Sequence, residues 1–506
     1  MSLESSRRHF LVSGTAMSVA AAAGTATRTA SAFTEEPREF PALLPRGGTG
    51  HHFVFYADCC SGVPNAPNAT SHAAVNRVVA RIQPRPEFIA FPGDAVTGYV
   101  NDYTALRQQW DYWWNTEMAW LKPLGIPLYQ STSNHNTYDL GSEQVFREFH
   151  PDLPQNGPDE FRGLAYFVRR GDLLYVSTHQ PDRTRAYRNK MTIDPAWLDQ
   201  VLTANADARY KFVCGHYPVF PVNGYFQSPQ WCFRPAERKP FWDVLVKHRV
   251  HAYLCSHILA FDVQIHDGIP QILSGGAGTQ GSGPLALMPL RSEYLHAVQM
   301  AIDEQGLRAR TIDITGSIRE SFAWPCSLPS SDRWTPLSPA NLGTQLAPHH
   351  ASGKISAWRI QAKAWPPSTG GEPQTLLWGW DGMEGLATVW IGIEGSPARW
   401  TVRLIPQSGF GWQVWTGPLV TFDPTPDRAF EGQIALHAGL GPGGILFRAN
   451  DRAPWQSLYS TSSKGIEDLT WPQAWTLGHG PSGADEWPFL GRELRIDWIS
   501  NPLSAE

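Results

Sequence analysis

Residues 51–60 read HHFVFYADCC, a short apolar run that ends in an aspartate and two cysteines. Runs of this length that are rich in Val, Phe and Tyr are typical of buried β-strands. The pattern predicts a helix next, over Ser71–Ile82, and a second buried strand over Phe88–Phe91. Such alternation of short strands with amphipathic helices predicts a layered α/β domain.

The α/β pattern continues along the chain to about residue 322. It predicts a long helix over Tyr103–Leu121 and later strands at Tyr210–Cys214 and His251–Cys255. Residues 323–352 are rich in Pro, Ser and Asn and predict a linker. In residues 353–506, short strand-like runs alternate with turn residues, which is typical of a β-sandwich or jelly roll.

Composition limits the classes of protein that this chain can belong to. Its 506 residues are enough for two or three domains. A net charge of -5 without blocks of Lys or Arg argues against general nucleic-acid binding. No apolar run of about 18 residues occurs, so no membrane span is predicted. The six cysteines are too few for a disulfide scaffold and are compatible with one or two bridges.

Residues 1–32 carry the pattern of an export signal. Ser6–Leu11 reads SRRHFL, a weakly apolar run covers Val12–Ala26, and residues 30–32 form the small-residue cleavage pattern ASA. The paired arginines resemble the twin-arginine export signal of bacteria, and an ordinary secretory signal is the alternative. Both predict a periplasmic or extracellular mature protein.

Side chains that commonly bind metals follow five of the predicted strands directly. The carboxyl ends of strands are where open α/β sheets build their ligand sites. Oxygen and imidazole donors suit divalent Mn, Fe or Zn. Each such residue alone is commonly a cap or a turn residue, but the ordered set predicts a metal centre. The residues are Asp58, Asp94, Asn134 with His135, His216 and His257.

The order of these residues resembles that of the calcineurin-like metallophosphoesterase superfamily, over about residues 51–315. The family pattern runs Asp-x-His, Gly-Asp, Gly-Asn-His-Asp/Glu, a lone His before Tyr/Ala-Pro, and Gly-His-x-His. This chain matches it with GD at 93–94, NH at 134–135 and HYP at 216–218. The resemblance implies a four-layer α/β/β/α sandwich and a two-metal centre, where a metal-bound hydroxide attacks a phosphate monoester or diester.

The resemblance also implies a role for each residue of the centre. Asp94 bridges the two ions, and His135 assists the departing oxygen or the charge of the transition state. One ion keeps its whole ligand set by resemblance: Asp94, Asn134, His216 and His257. The other keeps only Asp58 and the shared Asp94.

Four positions depart from the family pattern, and two of them belong to the second ion. Cys60 stands in place of the His of Asp-x-His, and Leu259 in place of the second His of Gly-His-x-His. In addition, Asn136 replaces the acidic residue after Asn-His, and Ser256 replaces a glycine.

Three interpretations of this second position stay open. Cys60 is an atypical thiolate ligand that favours Zn; a single ion acts alone; or the remaining cluster has lost catalysis.

The sequence therefore predicts an exported metal-dependent phosphoesterase with one degraded metal site and a small phosphate-ester substrate. The alternative is a non-catalytic pseudo-phosphoesterase whose β-sandwich binds a carbohydrate or a partner. Residues 353–502 somewhat resemble concanavalin-like or laminin-G-like sandwiches, in ALHAG at 435–439 and LRIDW at 494–498. Trp residues of this part either stack on carbohydrate or fill the sandwich core.

Overall fold

A computed structural model gives the fold of most of the chain. The predicted export signal lies outside the described residues. The structure describes residues 50–180, 194–225, 231–279, 293–325, 334–338, 354–363, 371–380, 387–404, 413–421, 429–437, 440–460, 472, 474–480 and 487–502. Within these ranges, no helix combines the length and the apolar character that a membrane crossing requires.

The described ranges contain six α-helices and 23 β-strands. The helices are α1 (Pro67–Val79), α2 (Tyr103–Tyr112), α3 (Leu121–Leu124), α4 (Leu140–Phe149), α5 (Pro195–Ala204) and α6 (Pro235–Lys247). The strands up to residue 324 are β1 (His51–Phe55), β2 (Ile89–Phe91), β3 (Leu128–Gln130), β4 (Tyr166–Arg170), β5 (Leu173–Ser177), β6 (Tyr210–Cys214), β7 (Ala252–Cys255), β8 (Phe261–His266), β9 (Ile269–Ser274), β10 (His296–Asp303), β11 (Gly306–Asp313) and β12 (Ile318–Trp324). The later strands are β13 (Thr335–Pro336), β14 (Lys354–Lys363), β15 (Gln374–Trp380), β16 (Ala387–Glu394), β17 (Arg399–Leu404), β18 (Gln413–Leu419), β19 (Phe430–His437), β20 (Ile445–Arg448), β21 (Gln456–Ser457), β22 (Ala474–Leu477) and β23 (Arg492–Pro502).

The strands up to residue 324 form two mixed six-stranded sheets. The first has the order β12-β11-β10-β1-β2-β3, and the second has the order β4-β5-β6-β7-β9-β8. Strands β1, β2 and β3 are parallel, as are β5, β6, β7 and β9. Parallel neighbours end at the same sheet edge, so the loops that follow them are brought together.

Side chains from both sheets share one buried core. Phe53 of β1 stacks on Phe88 at 4.7 Å between ring centroids and meets Phe212 of β6 edge-on at 5.0 Å. A second cluster joins Val213 of the second sheet to Leu198 of α5 and Leu245 of α6. The predicted α/β fold with additional β-sheets is therefore confirmed.

The strands after residue 334 form two further sheets. Their orders are β13-β23-β14-β19-β20-β21 and β18-β17-β16-β15-β22. Trp358, Trp400 and Trp415 are fully buried in one apolar cluster contributed by both sheets. These three rings fill the core and are not available for stacking on carbohydrate. Thr335–Pro336, inside the predicted linker, pairs with β23 as a short edge strand.

The two sheets after residue 334, called the sandwich below, cover β8, the edge strand of the second six-stranded sheet. The outward backbone N–H of Ile265 in β8 donates to Ser457 Oγ at 2.8 Å, and Gly268 N donates to the Trp455 carbonyl at 3.3 Å. Gly443 approaches β8 so closely that a Cβ there would lie 1.7 Å from the Val263 carbonyl oxygen. An edge strand carries unpaired backbone groups, and here the sandwich satisfies them.

Several helices differ from their predicted bounds. The predicted helix over Tyr103–Leu121 ends as an α-helix at Tyr112 and continues as a π-helical turn, Trp113–Glu117. This turn brings the Glu117 carboxylate inward, where it accepts hydrogen bonds from Ser61 Oγ and from Gly62 N at 3.1 Å. Helix α1 begins at Pro67, four residues before the predicted start, because proline suits the first helical turn.

Helix α4 was not predicted from hydrophobic periodicity. Its start is fixed by Asp139, whose side chain accepts from Ser142 N at 2.8 Å, while Ser142 Oγ accepts from Asp139 N at 2.9 Å. This reciprocal capping box was the signal available in the sequence. The helix follows the Asn134-His135 segment directly and packs against α2.

Candidate metal centre

The predicted ligand residues all lie in loops that follow parallel strands. Asp58 follows β1, Asp94 follows β2 and Asn134 follows β3 in the first sheet. His216 follows β6 and His257 follows β7 in the second sheet. The centre is therefore assembled from the carboxyl ends of strands in both sheets.

Three of these residues have a left-handed backbone, which is rare for residues other than glycine. The φ angles are 64° at Asp58, 51° at Asp94 and 73° at His257. Gly93 has φ 102°, and a Cβ there would lie 2.4 Å from the Ser133 Cβ. Each left-handed non-glycine residue costs about 1–3 kcal/mol and persists where the surrounding structure enforces it, commonly at functional sites. The strained backbone conformation at these residues thus sets the direction of their side chains.

His216, Asn134 and His257 point their polar atoms at one another. His216 Nε2 lies 2.6 Å from Asn134 Oδ1 and 3.0 Å from His257 Nδ1, and His257 Nδ1 lies 3.0 Å from Asn134 Oδ1. The Asp94 Oδ2 atom lies 3.5 Å from His216 Nε2. Asp94, His216 and His257 each offer one donor atom, and these atoms lie within 4.8 Å of one another.

The hydrogen bonds around this group fix which atoms carry lone pairs. His216 Nδ1 donates to the Pro92 carbonyl at 2.8 Å, so a neutral imidazole has a lone pair on Nε2. Burial lowers the pKa of His216, which favours that neutral form. Asn134 Nδ2 donates to the Tyr99 hydroxyl at 3.1 Å, so the amide oxygen faces His216. Two lone pairs 2.6 Å apart repel unless a cation lies beside both, and this arrangement fits a metal ligand set.

The two carboxylates of the centre are buried and differ in their surroundings. Burial raises the pKa of Asp58 well above its usual range, and the nearby charge of Asp94 raises it further. Burial alone would also raise the pKa of Asp94, but the imidazoles of His216, His135 and His257, when they carry a proton, hold it well below its usual range. Asp58 Oδ2 accepts from His257 N at 3.0 Å, whereas Oδ1 has no hydrogen-bond partner among the described residues. A buried carboxylate oxygen without a hydrogen-bond partner is a position that a cation can satisfy.

Cys60 and His135 form a second group around the same carboxylate. Cys60 Sγ and His135 Nε2 each lie 4.0 Å from Asp94 Oδ2, and the three donor atoms lie within 4.8 Å of one another. His135 Nδ1 donates to the Thr97 carbonyl at 2.5 Å. Burial lowers the pKa of His135, but Cys60 and Asp94 outweigh it and raise that pKa well above its usual value. Leu259 is partly buried and offers no donor.

Sequence reasoning missed the residues that support and surround the ligands. Ser133 Oγ accepts from Asp94 N at 2.8 Å and so holds the backbone of that residue. The ring of Tyr99 meets that of His135 at 4.7 Å, and the rings of Tyr217 and Trp231 lie 4.4 and 5.6 Å from that of His257. The Tyr in HYP at 216–218 was the only available signal, since Tyr99 and Trp231 lie outside the motifs.

Comparison with known proteins gives structural neighbours only. No protein family matches the chain, and no curated protein sequence is similar to it. A purple acid phosphatase from yellow lupin (Lupinus luteus) seeds has 12% identity over 55% of this chain and 54% of its own, with a TM-score of 0.42. The chain thus spans about half the length of that enzyme.

Two other neighbours correspond to different shares of the chain. A dimetal phosphatase from Danio rerio has 13% identity over 54% of this chain and 98% of its own, with a TM-score of 0.40. A carbohydrate-binding module of a Ruminococcus gnavus sialidase has 18% identity over 30% of this chain and 80% of its own, with a TM-score of 0.23.

Proposed function

We propose that the protein is a metal-dependent phosphoesterase whose ion is held by Asp94, Asn134, His216 and His257. The observation that carries this proposal is the convergence of the Asn134 Oδ1 and His216 Nε2 lone pairs at 2.6 Å, beside the Asp94 carboxylate. The order of these residues along the chain, which resembles that of the metallophosphoesterases, supports phosphate esters as the substrates. Such donors suit Mn, Fe or Zn.

Each residue of the centre has its own role in the proposed reaction. A divalent ion held by these residues would lower the pKa of a water molecule toward 7 and offset negative charge on phosphate. Asp94 belongs to both groups of metal-binding side chains, the one with His216 and the one with Cys60. Its carboxylate orients the ligand set and balances the positive charge of the ion. The hydrogen bonds from His216 to Pro92 and from Asp94 to Ser133 keep the donor atoms aimed at one point.

We assign His135 the proton-donating role at the departing oxygen. Its side chain is 28% exposed, so a substrate has access to it, and its Nε2 lies 4.0 Å from the Asp94 carboxylate at the centre. Thr97 fixes the Nδ1 side of the ring, which leaves Nε2–H as the proton that moves. A proton given at this atom stabilises the alkoxide or aryloxide that leaves the phosphorus.

The proposed function is tested by metal analysis together with hydrolysis of generic aryl phosphate monoesters and diesters. We expect chelation to abolish hydrolysis and Mn, Fe or Zn to restore it, because the ion activates water. We expect His257→Ala to bind less metal and to lose activity by about 10²-fold or more. His248→Ala is the matched control, because His248 pairs with Asp199 and is not part of the donor groups.

Two results would contradict the proposal in different ways. Absence of bound metal in the purified chain would exclude the metal centre. Metal binding without hydrolysis of any ester would instead favour the non-catalytic alternative, in which the centre only binds a ligand.

We further propose that Cys60 is a thiolate ligand of a second ion, beside Asp94 and Asp58. The unpartnered Oδ1 of Asp58 and the 4.0 Å approach of Cys60 Sγ to Asp94 support this. With Co²⁺ bound, we expect the protein to show a thiolate-to-metal absorption band. Cys60→Ser should abolish this band and should bind one ion fewer per chain. Cys59→Ser is the control, because Cys59 Sγ donates to the Ala95 carbonyl and a serine hydroxyl keeps that bond. A spectrum without this band, unchanged by Cys60→Ser, would favour a single ion.

The remaining expectations from the sequence stay proposals. We propose that residues 1–32 direct export to the periplasm or the medium, that residues 51–322 form a four-layer α/β/β/α domain, and that residues 353–506 form an accessory sandwich. Sharing of one core by both six-stranded sheets, with α5 and α6 packed on the second, supports the layering. Carbohydrate binding by the sandwich rests on its resemblance alone.

A further inference from the structure

We propose that the substrate of this centre carries a planar aromatic ring, and that Trp231 is the residue that selects it. The inference rests on the proposed phosphoesterase function and adds a substrate class to it. It depends on two partly exposed aromatic side chains, Tyr99 and Trp231, each of which contacts a different residue of the donor groups.

Tyr99 lies on the His135 side of the centre. Its ring meets the His135 ring edge-on at 4.7 Å, and its hydroxyl accepts from Asn134 Nδ2 at 3.1 Å. The φ angle of Tyr99 is 52°, a left-handed conformation that is costly for an aromatic residue. The chain therefore holds this ring beside the ligands against a backbone preference, which indicates a function for its position.

Trp231 lies on the His257 side of the centre. Its ring centroid is 5.6 Å from that of His257, at an interplanar angle of 41°, and its side chain is partly exposed. Tyr217 packs on the same imidazole at 4.4 Å but is only 4% exposed, so it forms a buried wall. On the His257 side of the centre, Trp231 is thus the aromatic ring that a bound molecule can contact.

The sandwich holds the chain segment that precedes Trp231. Gly224 N donates to the Ser460 carbonyl at 3.2 Å, and Ser460 N donates to Asn223 Oδ1 at 2.9 Å. Tyr459 Oη donates to the Tyr225 carbonyl at 2.6 Å. These bonds tie residues 223–225, which end six residues before Trp231 in the chain, to the sandwich.

A planar ring is the chemistry that fits these surroundings. Stacking of an aromatic group on a Trp or Tyr face strengthens binding, and for nucleobases it tolerates different ring identities. A saturated group of the same size gains apolar contact without the matched stacking of π faces. Aryl esters and nucleotides both carry such a ring, so the inference covers the shared feature and the experiment separates the two sources.

The test compares two esters that differ only in ring type. Benzyl phosphate and cyclohexylmethyl phosphate have similar size and similar leaving alcohols. We expect the full-length, metal-loaded protein to show the lower KM for benzyl phosphate. Trp231→Ala should raise that KM about tenfold with kcat nearly unchanged, and should raise the KM for the cyclohexylmethyl ester clearly less, because that ester loses only apolar contact. Trp231→Phe should restore most of the preference, because it keeps an aromatic face.

Further arms identify the source of the ring and the role of the sandwich. A nucleoside 5′-monophosphate with a KM below that of benzyl phosphate would identify a nucleobase, and the reverse order a simple aryl group. Tyr459→Phe should raise the KM for benzyl phosphate about threefold, because it removes one hydrogen bond that positions the segment.

The result that would overturn the inference is equal binding of the two esters in the wild type, or an equal rise in both KM values in Trp231→Ala. Should neither ester be hydrolysed, the proposed function fails while this inference remains testable. Calorimetry with benzylphosphonate and cyclohexylmethylphosphonate then measures the preference without turnover, and equal affinities of the wild type for both would contradict it.

Discussion

Replacement of Asp94 by Asn should remove most of the bound metal and lower kcat/KM by about 10³-fold or more. Asp94 Oδ2 lies within 4.0 Å of both His216 Nε2 and His135 Nε2, so one carboxylate serves both donor groups. Asn keeps the shape but loses the negative charge that offsets the ion. Charge stabilisation by an ion is worth several kcal/mol, and each 1.36 kcal/mol changes the rate about tenfold.

Metal content by mass spectrometry and initial rates with an aryl phosphate measure this effect. Asp207→Asn is the matched control, since Asp207 is an exposed residue that pairs with Arg169. Activity in Asp94→Asn close to that of the wild type would exclude a shared carboxylate at the centre. Unchanged circular dichroism of the variant is needed to show that the loss is chemical.

Replacement of Gly443 by Ala should lower the free energy of unfolding by about 3 kcal/mol, the upper part of the usual range for overpacking. The new Cβ would lie 1.7 Å from the Val263 carbonyl oxygen and 2.8 Å from the Val263 carbonyl carbon. Both are backbone atoms of β8, so relief of the contact requires the sandwich and the second sheet to move apart. Ser457 would then lose its bond from Ile265 N.

Urea unfolding of the full-length chain measures this change. Gly417→Ala in the same sandwich is the control, because its Cβ would lie 3.1 Å from the nearest atom, the Trp400 carbonyl oxygen. We expect the control to lose less than about 1 kcal/mol. Equal stabilities of Gly443→Ala and the wild type would mean that the sandwich does not rest on β8 in solution.

Much of the α/β part follows from the sequence because its strands are short, apolar and bounded by polar residues. Strand β6 has the predicted bounds, Tyr210–Cys214. The loops after such strands place the candidate ligands, so a motif order in the sequence becomes a cluster in space. The π-helical turn at Trp113–Glu117 was not predictable, because the inward position of Glu117 depends on contacts with Ser61 and Gly62, more than 50 residues away.

The surroundings of the centre depend on tertiary contacts that no local pattern carries. Tyr99 and Trp231 lie outside any periodic pattern, and Tyr459 bonds to the Tyr225 carbonyl across more than 230 residues of sequence. From the sequence alone, the Trp residues of the C-terminal part could either pack in the core or stack on a ligand. Burial of Trp358, Trp400 and Trp415 favours packing, because a ring with no exposed face has none to offer.

The contacts of Gly443 and Ser457 with β8 limit how this protein can be rearranged by recombination. A gene fragment that carried residues 51–322 into a new chain would leave the outward backbone groups at Val263 and Ile265 without Gly443 and Ser457 beside them. Such an uncovered edge adds strands from other copies and aggregates. The two halves are therefore expected to be inherited together, and a shuffled descendant would need a new partner for that one strand.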